Sequence, residues 1–177
     1  KYYYANPQAE TGSGGLEAPC GLGEVGGPGG AKYVIGWREW VSFPELGIPG
    51  VKAKVDSGAR TSALHTHDYE EFGRDGQRWV RFHPLRNRAD VEIGCEAPVV
   101  DFRMVRDSGG HAEERPFIWA TACLGEFRWG FEMSLTNREG MKFRMLLGRT
   151  ALAGRFLVDT RASYLMGRGL ARKYPPR

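Results

Sequence analysis

The residues best suited to chemistry lie close together in KVDSGARTSALHTH, Lys54 to His67. Asp56 ends the apolar, alternating run VKAKV and is followed by Ser57, Gly58 and Ala59. A glycine just after an acid lets the backbone approach closely and present N–H groups to the carboxylate. The hydroxyl of Ser57 can donate a further hydrogen bond. A carboxylate held in one rotamer in this way is what general acid–base work requires. Taken alone, Asp-Ser-Gly serves equally well as an ordinary Asx-type turn.

Two histidines follow, and His65-x-His67 would put both imidazoles on one face of a strand. Zinc needs three or four ligands with supporting partners, and His83 and His111 bear no patterned relation to the pair. No His-Glu-x-x-His helix exists, so no metal is expected, with His65 and His67 the only candidates for one. ATP is not expected either, because no Gly-x-x-x-x-Gly-Lys-Ser/Thr loop is present. Cys123 lies in an apolar run with no histidine near it in sequence and is a poor nucleophile candidate.

The elements that must position Asp56 are mostly short β segments. YVIGW, WVSF, VKAKV, ALHTHDY, RWVRF, VEI, VVDFRMV, PFIWATACL, FRWGFEMSL, RMLLG and FLVD are separated by turn signals at Pro49-Gly50, Asp75-Gly76, Ser108-Gly109-Gly110, Leu124-Gly125 and Glu139-Gly140. In FRWGFEMSL the side chains of Phe127, Trp129, Phe131, Met133 and Leu135 share one face. PFIWATACLGEFRWGFEMSL reads as one long hairpin turning at Gly125. Only TALAGRF, after Gly148, looks helical. Many short strands with frequent turns predict an all-β barrel or sandwich. SGGHAEERP, Ser108 to Pro116, is the segment best suited to a mobile lid.

The 177 residues suit one domain with a real core, and 41% hydrophobic against 26% charged residues is a globular balance. No apolar run is long enough to span a bilayer, and no secretory leader is visible, so a cytoplasmic, membrane-free protein is expected. Residues 1–31, rich in Gly and Pro and without periodicity, read as a flexible arm or linker. Residues 32–168 read as the folded domain and 169–177 as a basic tail. Cys20, Cys95 and Cys123 form no Cys-x-x-Cys pair and are expected as free thiols. A net charge of +4 favours an acidic partner. The basic residues are spread among strands rather than clustered, which argues against nucleic acid.

A second motif gives Asp56 its context. Far downstream, MLLGRTALAGRFLVD places Leu146, Leu147, Gly148 and Arg149 before the short helix. Asp-Ser/Thr-Gly-Ala on one strand, followed later by apolar-apolar-Gly-Arg and a helix, resembles the retropepsin-like aspartic peptidases. In that fold the later strand threads through a loop beside the catalytic turn. VIGWREWVSFPELGIPGVKAKVDSGARTSALH, RPFIWA, SLTNREGMKFRMLLGRTAL and FLVD narrow the resemblance, over about Val34 to Met166, to a bacterial family called RimK-associated or "ATP-dependent zinc" proteases. Ser57 stands where most of its members carry Thr, which keeps the hydroxyl.

The resemblance implies a retropepsin-like β-barrel, with Asp56 as the catalytic acid and Ser57, Gly58, Ala59 and Gly148 as its support. Aspartic peptidases use two carboxylates sharing a proton. Asp-Ser-Gly-Ala occurs only once here, and Asp159 lacks a following glycine, so a homodimer is expected. Lys54 and Arg60 flank Asp56, and Arg115, Arg138, Arg144 and Arg149 lie inside the matched motifs. Arginine's planar fork suits carboxylates, so these residues point to an acidic peptide. Family members encoded beside a glutamate ligase are implicated in trimming oligoglutamate tails, which implies a glutamate-rich peptide or a glutamylated protein tail as substrate. Two other readings remain: a metal-dependent peptidase using His65 and His67, and a peptide-binding module without catalysis.

Overall fold

A computed structural model describes residues 23–24, 32–86, 92–106 and 109–172. Twelve strands dominate the described residues: β1 (Gly23–Glu24), β2 (Tyr33–Gly36), β3 (Arg38–Phe43), β4 (Ile48–Asp56), β5 (Ser62–His65), β6 (Tyr69–Arg74), β7 (Gln77–Arg86), β8 (Glu92–Arg106), β9 (Ala112–Leu124), β10 (Phe127–Thr136), β11 (Met145–Gly148) and β12 (Phe156–Asp159). One short helix, α1 (Arg149–Leu152), follows β11.

Strands β10, β5, β11, β4, β3 and β9 pair in that order, and β9 pairs back onto β10. The result is a closed six-stranded barrel, which leaves these strands without a free edge. The expected β fold is therefore found, in its retropepsin-like barrel form. The β9–β10 hairpin turns where the sequence predicts, with Gly125 at φ 58° and Leu124 opposite Phe127. Its alternation also holds. Trp129, Phe131, Met133 and Leu135 are buried, and they meet Phe43, Leu64, Leu147 and Phe156 in the core. Full burial of a side chain such as Leu147 contributes about 1.5–3 kcal/mol.

Strands β8, β7 and β6 continue outward from β9 as an antiparallel extension. The Asp75-Gly76 turn joining β6 to β7 has φ 51° and 76°, as a two-residue hairpin requires. The inner face of the extension buries Val80, Phe82, Cys95 and Ala97. On its outer face Arg81 bridges Glu70 and Glu96, and Arg74 lies 4.4 Å above the Trp79 ring.

Several boundaries differ from expectation. Pro49-Gly50 is not a turn but lies within β4. The chain reverses instead at Pro44–Leu46, ending on Gly47 at φ 68°, and Gly50 gives room to Leu170, whose carbonyl would sit 3.0 Å from a Cβ there. ALHTHDY is two strands, broken where the Thr66 hydroxyl donates to Asp68 O. Glu92 and Ile93 of VEI join VVDFRMV in one long strand, β8, with an irregularity between Val99 and Asp101, and Val91 lies outside the described residues. Residues 112–116 of the expected lid belong to β9 and are paired with β8, while residues 107 and 108 lie outside the described residues.

The C-terminal segment is tied back to the barrel through Glu39. Its fully buried carboxylate accepts the N–H groups of Gly36 (2.7 Å), Leu165 (2.9 Å) and Met166 (3.4 Å), so the buried charge is matched by donors. Cys95 is a buried free thiol that donates to Leu46 O, and burial pushes it up to about 12. Cys123 is disulfide-bonded, which corrects the expectation of free thiols, and Cys20 lies outside the described residues. Most of the expected arm also lies outside them; its described part, β1, pairs in parallel with β10. Among the described residues no helix is long and apolar enough to cross a membrane.

Candidate active site

Asp56 is the last residue of β4, half-buried at the mouth of a tight turn. The N–H groups of Gly58 (3.1 Å) and Ala59 (3.2 Å) both donate to its Oδ1. Oδ1 is thereby fixed, while Oδ2 accepts no hydrogen bond among the described residues. A Cβ on Gly58 would lie 3.2 Å from Oδ1, close enough that the carboxylate would have to shift to make room for it. Ser57 differs from expectation. Its exposed hydroxyl makes no bond to Asp56, and its contribution is the carbonyl, which accepts Arg149 Nη1 at 2.9 Å.

Strand β11 passes between β4 and β5, parallel to the first and antiparallel to the second. This is the threading that the LLGR motif implied. Gly148 pairs with Asp56 across β11 and β4, and its N–H donates to the hydroxyl of buried Ser62 at 3.0 Å. The chain then turns into α1 with two bonds onto the Asp56 loop, Arg149 N to Ala59 O (2.8 Å) and Thr150 N to Arg60 O (3.0 Å). Trp129 Nε1 reaches Ala151 O at 3.0 Å and fixes α1 to the barrel. Asp56 thus rests on a loop held from two sides. Ser62 had no sequence signal, because a lone serine in a strand looks like any other.

The cations divide into three groups. Lys54 and Arg60 are exposed on either side of the turn. Arg149 is bound to the turn itself and acts as a brace. Arg115, Arg138 and Arg144 are half-buried. Arg115 pairs with Glu113, which also accepts the Thr136 hydroxyl at 2.5 Å. Arg144 donates to Pro84 O at 3.4 Å. Arg138 is lowered from the usual guanidinium range by burial and by Arg115, while Asp56 acts the other way. Arg138 is therefore within electrostatic reach of the Asp56 carboxylate. Asp159 lies elsewhere, on β12, where its Oδ1 accepts Arg161 N–H in a local turn.

The family model described as retropepsin-like aspartic endopeptidase RimB matches residues 34–168. The chain belongs to the RimB-like family. Four-tenths to half of the residues agree with proteins named probable alpha-L-glutamate ligase: 45% over 138 residues in Shewanella pealeana and 48% over 138 residues in Parasynechococcus marenigrum. The RimB-like chain aligns over 77% of its own length but spans only 30% of theirs. A Legionella pneumophila protein of unknown function has the same fold, with TM-score 0.66 and 23% identity over 77% of this chain and 99% of that one.

The zinc in the family's older label finds no fit in this RimB-like site. Among the described residues no three His, Cys, Asp or Glu side chains are grouped to hold a metal ion. His65 is fully buried, and its Nδ1 accepts the N–H of Arg138 at 2.9 Å. Nδ1 therefore carries no proton, and a neutral ring must carry it on Nε2, which removes the second nitrogen as a ligand. His67 meets His65 edge-on at 4.7 Å between ring centroids and lies 3.5 Å from Glu139.

Burial first, then the charges of Arg144, His67 and Arg138, lower His65 to about 4. An imidazole in the unfolded chain takes up its proton near 6.5, so the unfolded state binds the proton first as pH falls. The neutral ring's contribution to stability is whole above about pH 6.5 and is lost progressively toward pH 4. Thermal melts are expected to show the melting temperature falling across that window, with a shallower fall in His65→Gln. Equal slopes in the two proteins would refute this.

Proposed function

We propose that the chain is a peptidase that hydrolyses acidic, glutamate-rich chains through a water activated by Asp56. The observation that carries the reading is the fixed Asp56 carboxylate, with the half-buried Arg138 in electrostatic reach of it. Membership of a retropepsin-like endopeptidase family supports the reaction type. The relatives' name supports the substrate class, since a domain shared with probable glutamate ligases belongs with glutamate chains.

In the proposed reaction a carboxylate takes a proton from water as the water oxygen attacks the scissile carbonyl carbon. A second carboxyl group donates a proton to the carbonyl oxygen. Collapse of the resulting diol breaks the C–N bond: the first carboxyl group, now protonated, gives its proton to the leaving amine, and the second, now a carboxylate, takes one from a diol hydroxyl. Asp56 of a second copy supplies that second group, so the active species is a homodimer. Lys54, Arg60, Arg115 and Arg144 draw in and orient the acidic chain, and neither zinc nor ATP enters the cycle.

Incubation with a synthetic oligoglutamate peptide is expected to yield shorter products by mass spectrometry, unaffected by chelator. Intact peptide after long incubation, with measurable binding, would select a non-catalytic binding module. Activity lost to chelator and restored by zinc would select a metal-dependent peptidase.

A further inference from the structure

Among the described residues two buried side-chain nitrogens lack a hydrogen-bond partner, and one of them, Nε2, belongs to His65, whose Nδ1 accepts the Arg138 N–H. Its proton is placed by the network: Nδ1 is occupied by the Arg138 N–H, so Nε2 is the donor. A fully buried N–H donor without an acceptor is uncommon in a folded chain and calls for an explanation.

The surrounding charges say what kind of acceptor. Arg138 spends its Nε on Phe143 O at 3.2 Å and pairs with no carboxylate among the described residues. Arg144 holds only Pro84 O, at 3.4 Å, and likewise makes no ion pair there. The backbone joins both residues to the histidine, since His65 N donates to Arg144 O at 2.7 Å. The histidine that carries the orphan donor is thus tied to two half-buried arginines that make no ion pair among the described residues, and the charges of both act on its ring. A carboxylate satisfies every member of such a set. An amide would meet these donors with donors of its own.

We propose that the Arg138 guanidinium and the Nε2–H of His65 together receive one carboxylate of the acidic substrate, making Arg138 the residue that selects glutamate over glutamine at that position. The proposal rests on the reading of the site as one for acidic peptides. It goes beyond that reading by naming the side chains that tell a carboxylate from an amide.

The test compares an oligoglutamate peptide with versions carrying one glutamine at each position in turn. The wild-type protein is expected to prefer glutamate at one position by about 10- to 100-fold in kcat/KM, the size of one charge-assisted hydrogen bond. Arg138→Met is expected to bring that ratio near one, mainly through KM, and Arg138→Lys to restore part of it. Cleavage by Arg138→Met with the ratio unchanged would overturn the proposal and leave the peptidase reading standing. Failure of the wild-type protein to cleave any peptide would sink the peptidase reading alone. The imidazole nitrogen spectrum of the wild-type chain then decides the proposal without catalysis. At neutral pH, His65 is expected as the Nε2–H form, with its signal moving when oligoglutamate is added. A signal for the Nδ1–H form, or one that stays put at saturating peptide, would overturn it.

Discussion

Asp56→Asn is expected to lower kcat/KM on oligoglutamate by about 10²–10⁴-fold, the usual worth of a positioned acid or base, with the melting temperature close to wild type. Asparagine keeps the shape and an oxygen able to accept the Gly58 and Ala59 N–H groups, which hold the side chain now. It cannot take the proton from water. The proposed reaction needs two carboxylates and the chain carries one Asp-Ser-Gly-Ala, so the same variant reports on assembly. Mixing wild-type and Asp56→Asn chains one to one and allowing exchange leaves about a quarter of the pairs wholly wild type. Activity near a quarter of the unmixed value supports a shared dyad. Activity near one half would show that each chain works alone, as would an active preparation that sediments as a strict monomer. Asp56→Asn cleaving as fast as wild type would end the Asp56 mechanism.

The barrel was legible because its strands obey a simple rule. Phe127 to Leu135 alternate, β9 and β10 meet at a glycine with positive φ, and both features follow from side-chain size and turn stereochemistry. The threading of β11 was legible only through resemblance, since no local property of Leu146 or Leu147 says which two strands will accept them. Pro49-Gly50 misled because the same dipeptide that breaks a chain also lets a strand start beneath a neighbour, here Leu170.

The site divides along the same line. Asp56, Gly58 and Ala59 are adjacent in sequence, so their hydrogen bonds could be foreseen. Arg138 and His65 are separated by 73 positions, and their bond exists only because β5 and β10 run side by side in the barrel. Sequence showed the arginines as a basic population. The fold sorted them into a brace, Arg149, an ion pair, Arg115, and two cations without a carboxylate partner among the described residues, Arg138 and Arg144. His65 changed most, from a metal candidate to a neutral donor, because its tautomer is set by a backbone N–H that no sequence pattern reveals.

Gly148→Ala is expected to have the largest effect on stability. Its φ of −82° and ψ of 169° suit any residue, so the objection is one of space. A Cβ there would stand 2.5 Å from Thr61 O and 2.8 Å from Ser62 N, with the Thr61 carbonyl carbon closer still. All of these are backbone atoms of the loop that Asp56 begins, so none can rotate aside. Overpacking of this kind costs about 1–3 kcal/mol, sometimes more. At about 2–4 °C per kcal/mol for a domain of this size, the melting temperature is expected to drop by about 5–10 °C. Relief can come only by moving β11 away from β5 or by shifting the loop. Either motion disturbs the Gly148 N–H bond to Ser62 and the Arg149 N–H bond to Ala59, and with them the seat of Asp56. Activity measured below the melting transition should therefore fall as well. Gly140→Ala is the control: its added methyl meets nothing within 4 Å, and it should melt and act like wild type. If Gly148→Ala does the same, β11 does not pass between β4 and β5 as tightly as described, and the support of Asp56 lies elsewhere.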